Sequence, residues 1–304
     1  MNENSREIYE DMTKAQKLKQ LKDFKIIHPE FKKALKMIKD CHESSKVAAD
    51  PKSVLITGDS GAGKTTIYHY YADRFDQIIH GESLTTKRIL HASIPSPGST
   101  KFVVEQLLEQ MGDFRFDSGT LNNKTHRLTR YIEENGVELI MLDEFQHFLK
   151  PSKKSVYDTA DWFKSLINKT NVPVVLFGLK ESETVLSTNE QLSRRFKRRI
   201  KLEHFGFNTK KEKSAFRALL REIDRNLPFK QDSNLDSEDF SERFYYASNG
   251  LMDTITSLIR EASSFAIEEN ADSLELKHLA WAFSLDGHAN RGKDNPFEYE
   301  DFTS

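Results

Sequence analysis

The run Gly58-Asp59-Ser60-Gly61-Ala62-Gly63-Lys64-Thr65 constrains this chain more than any other stretch of it. It matches the P-loop pattern and stands between a short segment of strand character, Ser53 to Thr57, and a helical pattern carrying Ile67, Tyr71 and Phe75 on one side. Glycines let the backbone wrap closely enough for several N–H groups to point at phosphate oxygens, and the helix N-terminus adds a favourable partial positive charge. Lys64 is expected to reach the β- and γ-phosphates and the Thr65 hydroxyl to hold magnesium, with Thr66 completing the loop's lip. A glycine-rich turn that binds nothing is the alternative; the complete pattern between a strand and a helix sets it aside.

The second half of such a site is Leu139-Ile140-Met141-Leu142-Asp143-Glu144, an apolar strand ending in adjacent carboxylates. Asp143 is expected beside the magnesium shell, and Glu144 is expected to polarise the water that attacks the γ-phosphate. Alone the motif is weak, because acids end many strands; downstream of a P-loop it gains meaning. Charge developing on the γ-phosphate also calls for a cation from elsewhere, often an arginine from a neighbouring subunit. Arg195, then Arg194, in the cluster from Gln191 to Arg199 are the candidates. Lys197, Arg198 and Arg199 equally suit a solvated surface or nucleic-acid contact.

Around these motifs strands and helices alternate. Strands are expected at 88–94, 138–142, 172–177 and 199–204, and helices at 100–111, 122–134 and 156–168, so the sheet should be parallel. From 208 onward the pattern is helical only. The reading is therefore α/β: a P-loop NTPase core (46–207) with a central parallel sheet flanked by helices, preceded by an N-terminal helical extension (1–45) and followed by an all-helical lid (208–287). A flexible acidic-aromatic tail (288–304) ends the chain. Lys and Arg (45) nearly balance Asp and Glu (47), so bulk attraction to nucleic acid is excluded and any DNA contact must come from a local basic face. The single cysteine, Cys41, cannot form an internal disulfide, and no signal or membrane-spanning run is visible; a cytoplasmic protein without membrane contact is expected. The histidines show no metal-ligand spacing, so magnesium is the only metal expected.

The P-loop, the Asp-Glu pair on the third strand, the arginine cluster before the fifth and the helical lid together resemble the AAA+ ATPases. Within them, Gly98-Ser99-Thr100, the stretch Leu107 to Gly112, Arg127-Leu128, Val137 to Leu149 and Gln191 to Phe196 are similar to the TniB and TnsC group of transposition ATPases. The resemblance implies a regulator that binds ATP, assembles as a ring or filament of copies on double-stranded DNA and directs a transposase, with a target-selecting adaptor as a further partner. It also implies DNA contacts along the inside of that assembly, for which Ser99, Thr100, Lys101, Thr120, Asn122 and Lys124 are the candidates; Ser99 or Thr100 and Asn122 or Asn123 equally suit helix capping.

Two departures from the family pattern stand out. Phe177-Gly178-Leu179-Lys180 lacks the Thr or Asn that senses the γ-phosphate in relatives, leaving Lys180 or Ser182 for that task, and residues 248–253 lack an arginine at the start of the third lid helix. Slow turnover is the expectation. Two other functions stay open: a replication-initiator or clamp-loader-like ATPase, which calls for a winged helix after the lid, and a scaffold held together by ATP binding, against which Glu144 argues.

Overall fold

The computed structural model of the chain describes residues 6–45, 51–75, 79–80, 85–149, 153–285 and 294–298. The chain divides into two compact units, one formed by residues 29–203 and the other by residues 1–28 together with 204–304.

The first unit is α/β. Its elements run α2 (Pro29–Ser44; α1 belongs to the other unit), β1 (Val54–Gly58), α3 (Lys64–Phe75), a short hairpin of β2 (Ile79–His80) and β3 (Thr85–Thr86), β4 (Ile89–Ser93), α4 (Thr100–Gln110), α5 (Leu121–Asn135), β5 (Leu139–Asp143), a 3-10 turn (Phe145–Leu149), α6 (Lys153–Thr170), β6 (Val174–Gly178), α7 (Ser182–Ser187), α8 (Glu190–Arg195) and β7 (Arg198–Leu202). The main sheet is five-stranded in the order β4-β5-β6-β1-β7, and every pairing in it is parallel. β1, β5 and β6 are buried along their whole length, which is why they read as continuous apolar runs: helices cover both faces of a parallel sheet. β7 at one edge alternates instead, and its exposed positions carry Arg199 and Lys201, charges suited to an edge strand.

One core fills this unit. Leu55, Ile140, Leu142 and Leu176 from the sheet meet Val104, Leu107 and Leu128 from the helices, and Phe145, Phe148 and Phe163 pack edge to face at 5.4–5.8 Å. α2 joins this unit through the stripe Phe31, Ala34, Ile38 and Cys41, which it lays against α3 and β1.

The second unit is helical: α1 (Lys14–Asp23), α9 (Lys210–Asn226), α10 (Glu238–Ser248), α11 (Met252–Glu268) and α12 (Leu276–Leu285). α9 opens with a capping box in which the Thr209 hydroxyl accepts from the Glu212 amide and the Glu212 carboxylate accepts from the Thr209 amide. α1 packs on α11, burying Leu21, and Ile26 beyond it enters the same core as Phe216, Leu258 and Phe283. The segment ahead of α1 is pinned by Arg6, which donates to the carbonyls of Asp224 (3.1 Å), Phe229 (3.1 Å) and Gln231 (2.6 Å) and pairs with the Asp232 carboxylate.

The N-terminal extension expected at 1–45 is thus shared out: its first helix belongs to the helical unit and its second to the α/β unit, because each apolar stripe finds a different core. Of the tail expected to be flexible from 288, the described piece 294–298 is packed. Phe297 lies 5.5 Å from Phe244 and 6.3 Å from Phe283, and the buried Arg243 guanidinium donates to the Pro296 carbonyl at 2.5 Å. Tyr299 and Phe302 lie outside the described residues.

Candidate nucleotide-binding site

The P-loop joins β1 to α3 at the carboxyl edge of the sheet. Gly58, its first residue, is pressed against β7: a Cβ there would meet the Leu202 carbonyl oxygen at 2.8 Å. Gly61 and Gly63 take φ values of +78° and +90°, the left-handed region in which any side chain is strained. Around Gly63 no described residue lies within 4 Å of where a Cβ would sit. Ala62 is buried under the loop, whereas Asp59, Ser60, Thr65 and Thr66 are exposed at its lip. Lys64 is only 7% exposed, and its ammonium donates to the carbonyls of Gly58 (2.8 Å) and Asp59 (2.7 Å). Desolvation lowers its pKa, and the nearby charges of Asp143, Glu144 and Asp59 pull the other way.

Across from the loop, β5 delivers the carboxylates. Thr65 Oγ1 donates to Asp143 Oδ2 at 2.8 Å, which closes a sequence gap of 78 residues. Burial raises the Asp143 pKa; the bonds from Thr65 and from the Glu144 amide (2.9 Å to Oδ1) oppose that rise. A hydroxyl and a carboxylate meeting at the mouth of the loop form an oxygen donor set of the kind a hard divalent cation takes. Glu144 follows with φ at +60°, an uncommon left-handed conformation for a residue with a side chain and a form of strain that concentrates at functional sites. Its carboxylate accepts from Gln146 Nε2, and Gln146 Oε1 accepts from the Leu179 amide at 3.0 Å. His147 donates from Nδ1 to the Ile94 carbonyl at 2.6 Å, which leaves Nε2 3.9 Å from Glu144 Oε2. Sequence reading missed Gln146, although a carboxamide on the 3-10 turn beside the acid pair was the available signal.

The family model described as bacterial TniB protein matches residues 17–206, more than half of the chain. The chain belongs to the TniB family. No curated relative matches it in sequence. Among solved structures, this TniB protein is similar to the Aeropyrum pernix ORC2 protein in its ADPNP-ADP complexes, at 16% identity and a TM-score of 0.56 over 86% of this chain and 68% of that one. It is similar as well to the Aeropyrum pernix ORC1 protein in complex with DNA (14%, 0.56, over 86% and 66%) and to Cdc6p from Pyrobaculum aerophilum (11%, 0.56, over 84% and 66%). At such identities the likeness speaks for the fold. The chain has the AAA+ fold: a P-loop sequence at the edge of a parallel sheet, and a helical C-terminal region.

The other expected site residues of this TniB chain fall into three groups. Arg194 and Arg195 stand away from the chain's own P-loop: the Ser53 amide donates to the Arg195 carbonyl, so Arg195 lies at the opposite end of β1, about 16 Å along the strand. Arg194 pairs with Glu190 at 2.5 Å and Arg195 donates to Asn168 at 2.9 Å. At the helix starts, Ser99 is the N-cap of α4 without a side-chain cap bond, and Thr100 is the first helical residue. Lys101 and Asn122 are exposed. Thr120 caps α5, accepting from the Asn123 amide at 3.3 Å, so the cap falls there rather than on Asn122 or Asn123.

Lys124 is a correction. It is fully buried, donates to the Asp117 carbonyl at 2.6 Å and pairs with the Glu105 carboxylate, so it braces α5 against α4 and cannot reach DNA. Of the two proposed substitutes for a γ-phosphate sensor, Ser182 is also buried, with its hydroxyl beside Gly178, while Lys180 is exposed.

Proposed function

We propose that this protein is an ATP-dependent regulator of DNA transposition, which binds ATP and magnesium through residues 58–66 and Asp143, assembles on duplex DNA and engages a transposase. The observation that carries the nucleotide half is the meeting of Thr65 with Asp143 across the mouth of the P-loop, with Glu144 alongside. Bound magnesium would supply charge neutralisation at the phosphates. Backbone amides of Gly61 to Thr65 would bind the phosphate chain, Lys64 would turn its ammonium from the Gly58 and Asp59 carbonyls toward phosphate oxygen, and Glu144 would take a proton from water. Membership of the TniB family supports the transposition half. Arg195, or Arg194, would serve the nucleotide of a neighbouring copy, since neither stands at its own. The exposed starts of α4 and α5, with Lys101 and Asn122, would track DNA phosphates without reading bases.

The experiment pairs two variants. Lys64→Ala should lose binding of a labelled ATP analogue. Glu144→Gln should keep binding while phosphate release falls about a hundredfold or more, the share that a positioned base contributes. Equal turnover in wild type and Glu144→Gln would end the hydrolytic reading. Electron microscopy with ATP and duplex DNA should show copies wound on DNA, and dispersed particles would end the assembly reading.

A further inference from the structure

A side-chain bridge links the acid that ends the β5 segment to the end of β6. Gln146 is 9% exposed, sits on the 3-10 turn between β5 and α6, and uses both ends of its carboxamide. Nε2 donates to Glu144 Oε2, and Oε1 accepts from the Leu179 amide at 3.0 Å. Only one orientation of the amide satisfies both partners, since the other would face a donor with a donor and an acceptor with an acceptor. The approach exists because residue 178 is glycine: a Cβ there would come within 2.8 Å of Gln146 Oε1 and 2.2 Å of Ser182 Oγ. Glu144 itself is held in the left-handed region, so its side-chain direction depends on groups beyond its own backbone preference.

We propose that Gln146 is a positioning residue that fixes the Glu144 carboxylate relative to the end of β6, so that the β6–α7 turn, through the Leu179 amide, sets the aim of the general base. Gln146 touches no reacting atom in this role. By holding Oε2 it makes the carboxylate's geometry answer to the position of residues 178–179. This inference rests on the ATPase reading above.

The test uses the full chain with magnesium and duplex DNA, with ATP varied through saturation. Gln146→Ala should lower kcat roughly tenfold to a hundredfold while KM and the affinity for a non-hydrolysable ATP analogue stay within about threefold, because alignment and not binding is lost. Gln146→Met preserves bulk and apolar packing and guards against a folding artefact; it should fail to restore kcat. A Met variant as active as wild type, or a parallel loss of analogue binding, overturns the positioning role alone. A wild type that binds the analogue but never turns over defeats the hydrolytic reading, and this role with it.

Discussion

Lys124 and Lys101 show how two lysines on neighbouring helices part company once packed. Lys124 is buried and committed to Glu105 and Asp117, whereas Lys101 reaches Glu105 only at 3.8 Å and stands in solvent. Lys124→Ala should therefore cost about 3 kcal/mol of stability by leaving Glu105 without its close partner, readable by chemical denaturation. Lys101→Ala should leave stability within about 0.5 kcal/mol and weaken DNA binding, with a smaller dependence of log affinity on log salt. Cys41 offers a second check. It is buried on α2 and its thiol pKa is pushed up to about 12 by desolvation, so at pH 8 roughly one thiol in ten thousand would be ionised. Labelling by a thiol reagent should be slow in the native protein and fast once it unfolds. That Thr65 and Asp143 would meet was legible, because each follows an apolar strand run and parallel strands end at one edge of the sheet. The burial of Lys124 was not, because nothing in one helix's sequence says that its partner will aim a carboxylate at it.

At the scale of elements, long strands and helices were readable from their periodicity, with ends shifted by a few residues. Short pieces were not: α7, α8, the β2–β3 hairpin and the 3-10 turn that carries Gln146 are too brief for a period to register. The segment before α1 was equally silent, yet Arg6 ties it to the loop after α9. Asp224 in that cluster is 4% exposed; burial raises its pKa, and the amides of Ser233 and Leu235, then Arg6, pull it back. Removing Arg6 leaves that carboxylate more poorly compensated, so Arg6→Ala should cost about 3 kcal/mol in the helical unit. The sign with pH follows from the raised value. The folded state holds the Asp224 proton to higher pH than the unfolded chain does, so the associated stability is present in acid and falls as pH rises through the carboxylate range. Arg6→Ala should widen that loss. Urea titrations at several pH values would show it, and a pH-independent difference would argue against it.

For the molecule as a whole, the sequence pointed to an α/β core and a helical region, and both are present. It did not reveal that the helical unit is built from the two ends of the chain, since the apolar stripe of α1 advertises a partner without naming it. Among the described residues no helix is long and apolar enough to cross a membrane. The order of the sheet has a consequence for how the protein is made. β1 is the first of the five strands to be translated, but it is flanked by β6 and β7, whose pairing residues are 175–178 and 198–202. A nascent chain therefore carries residues 58–65 at the end of an apolar strand whose two sheet partners are still to be made through most of the unit's synthesis.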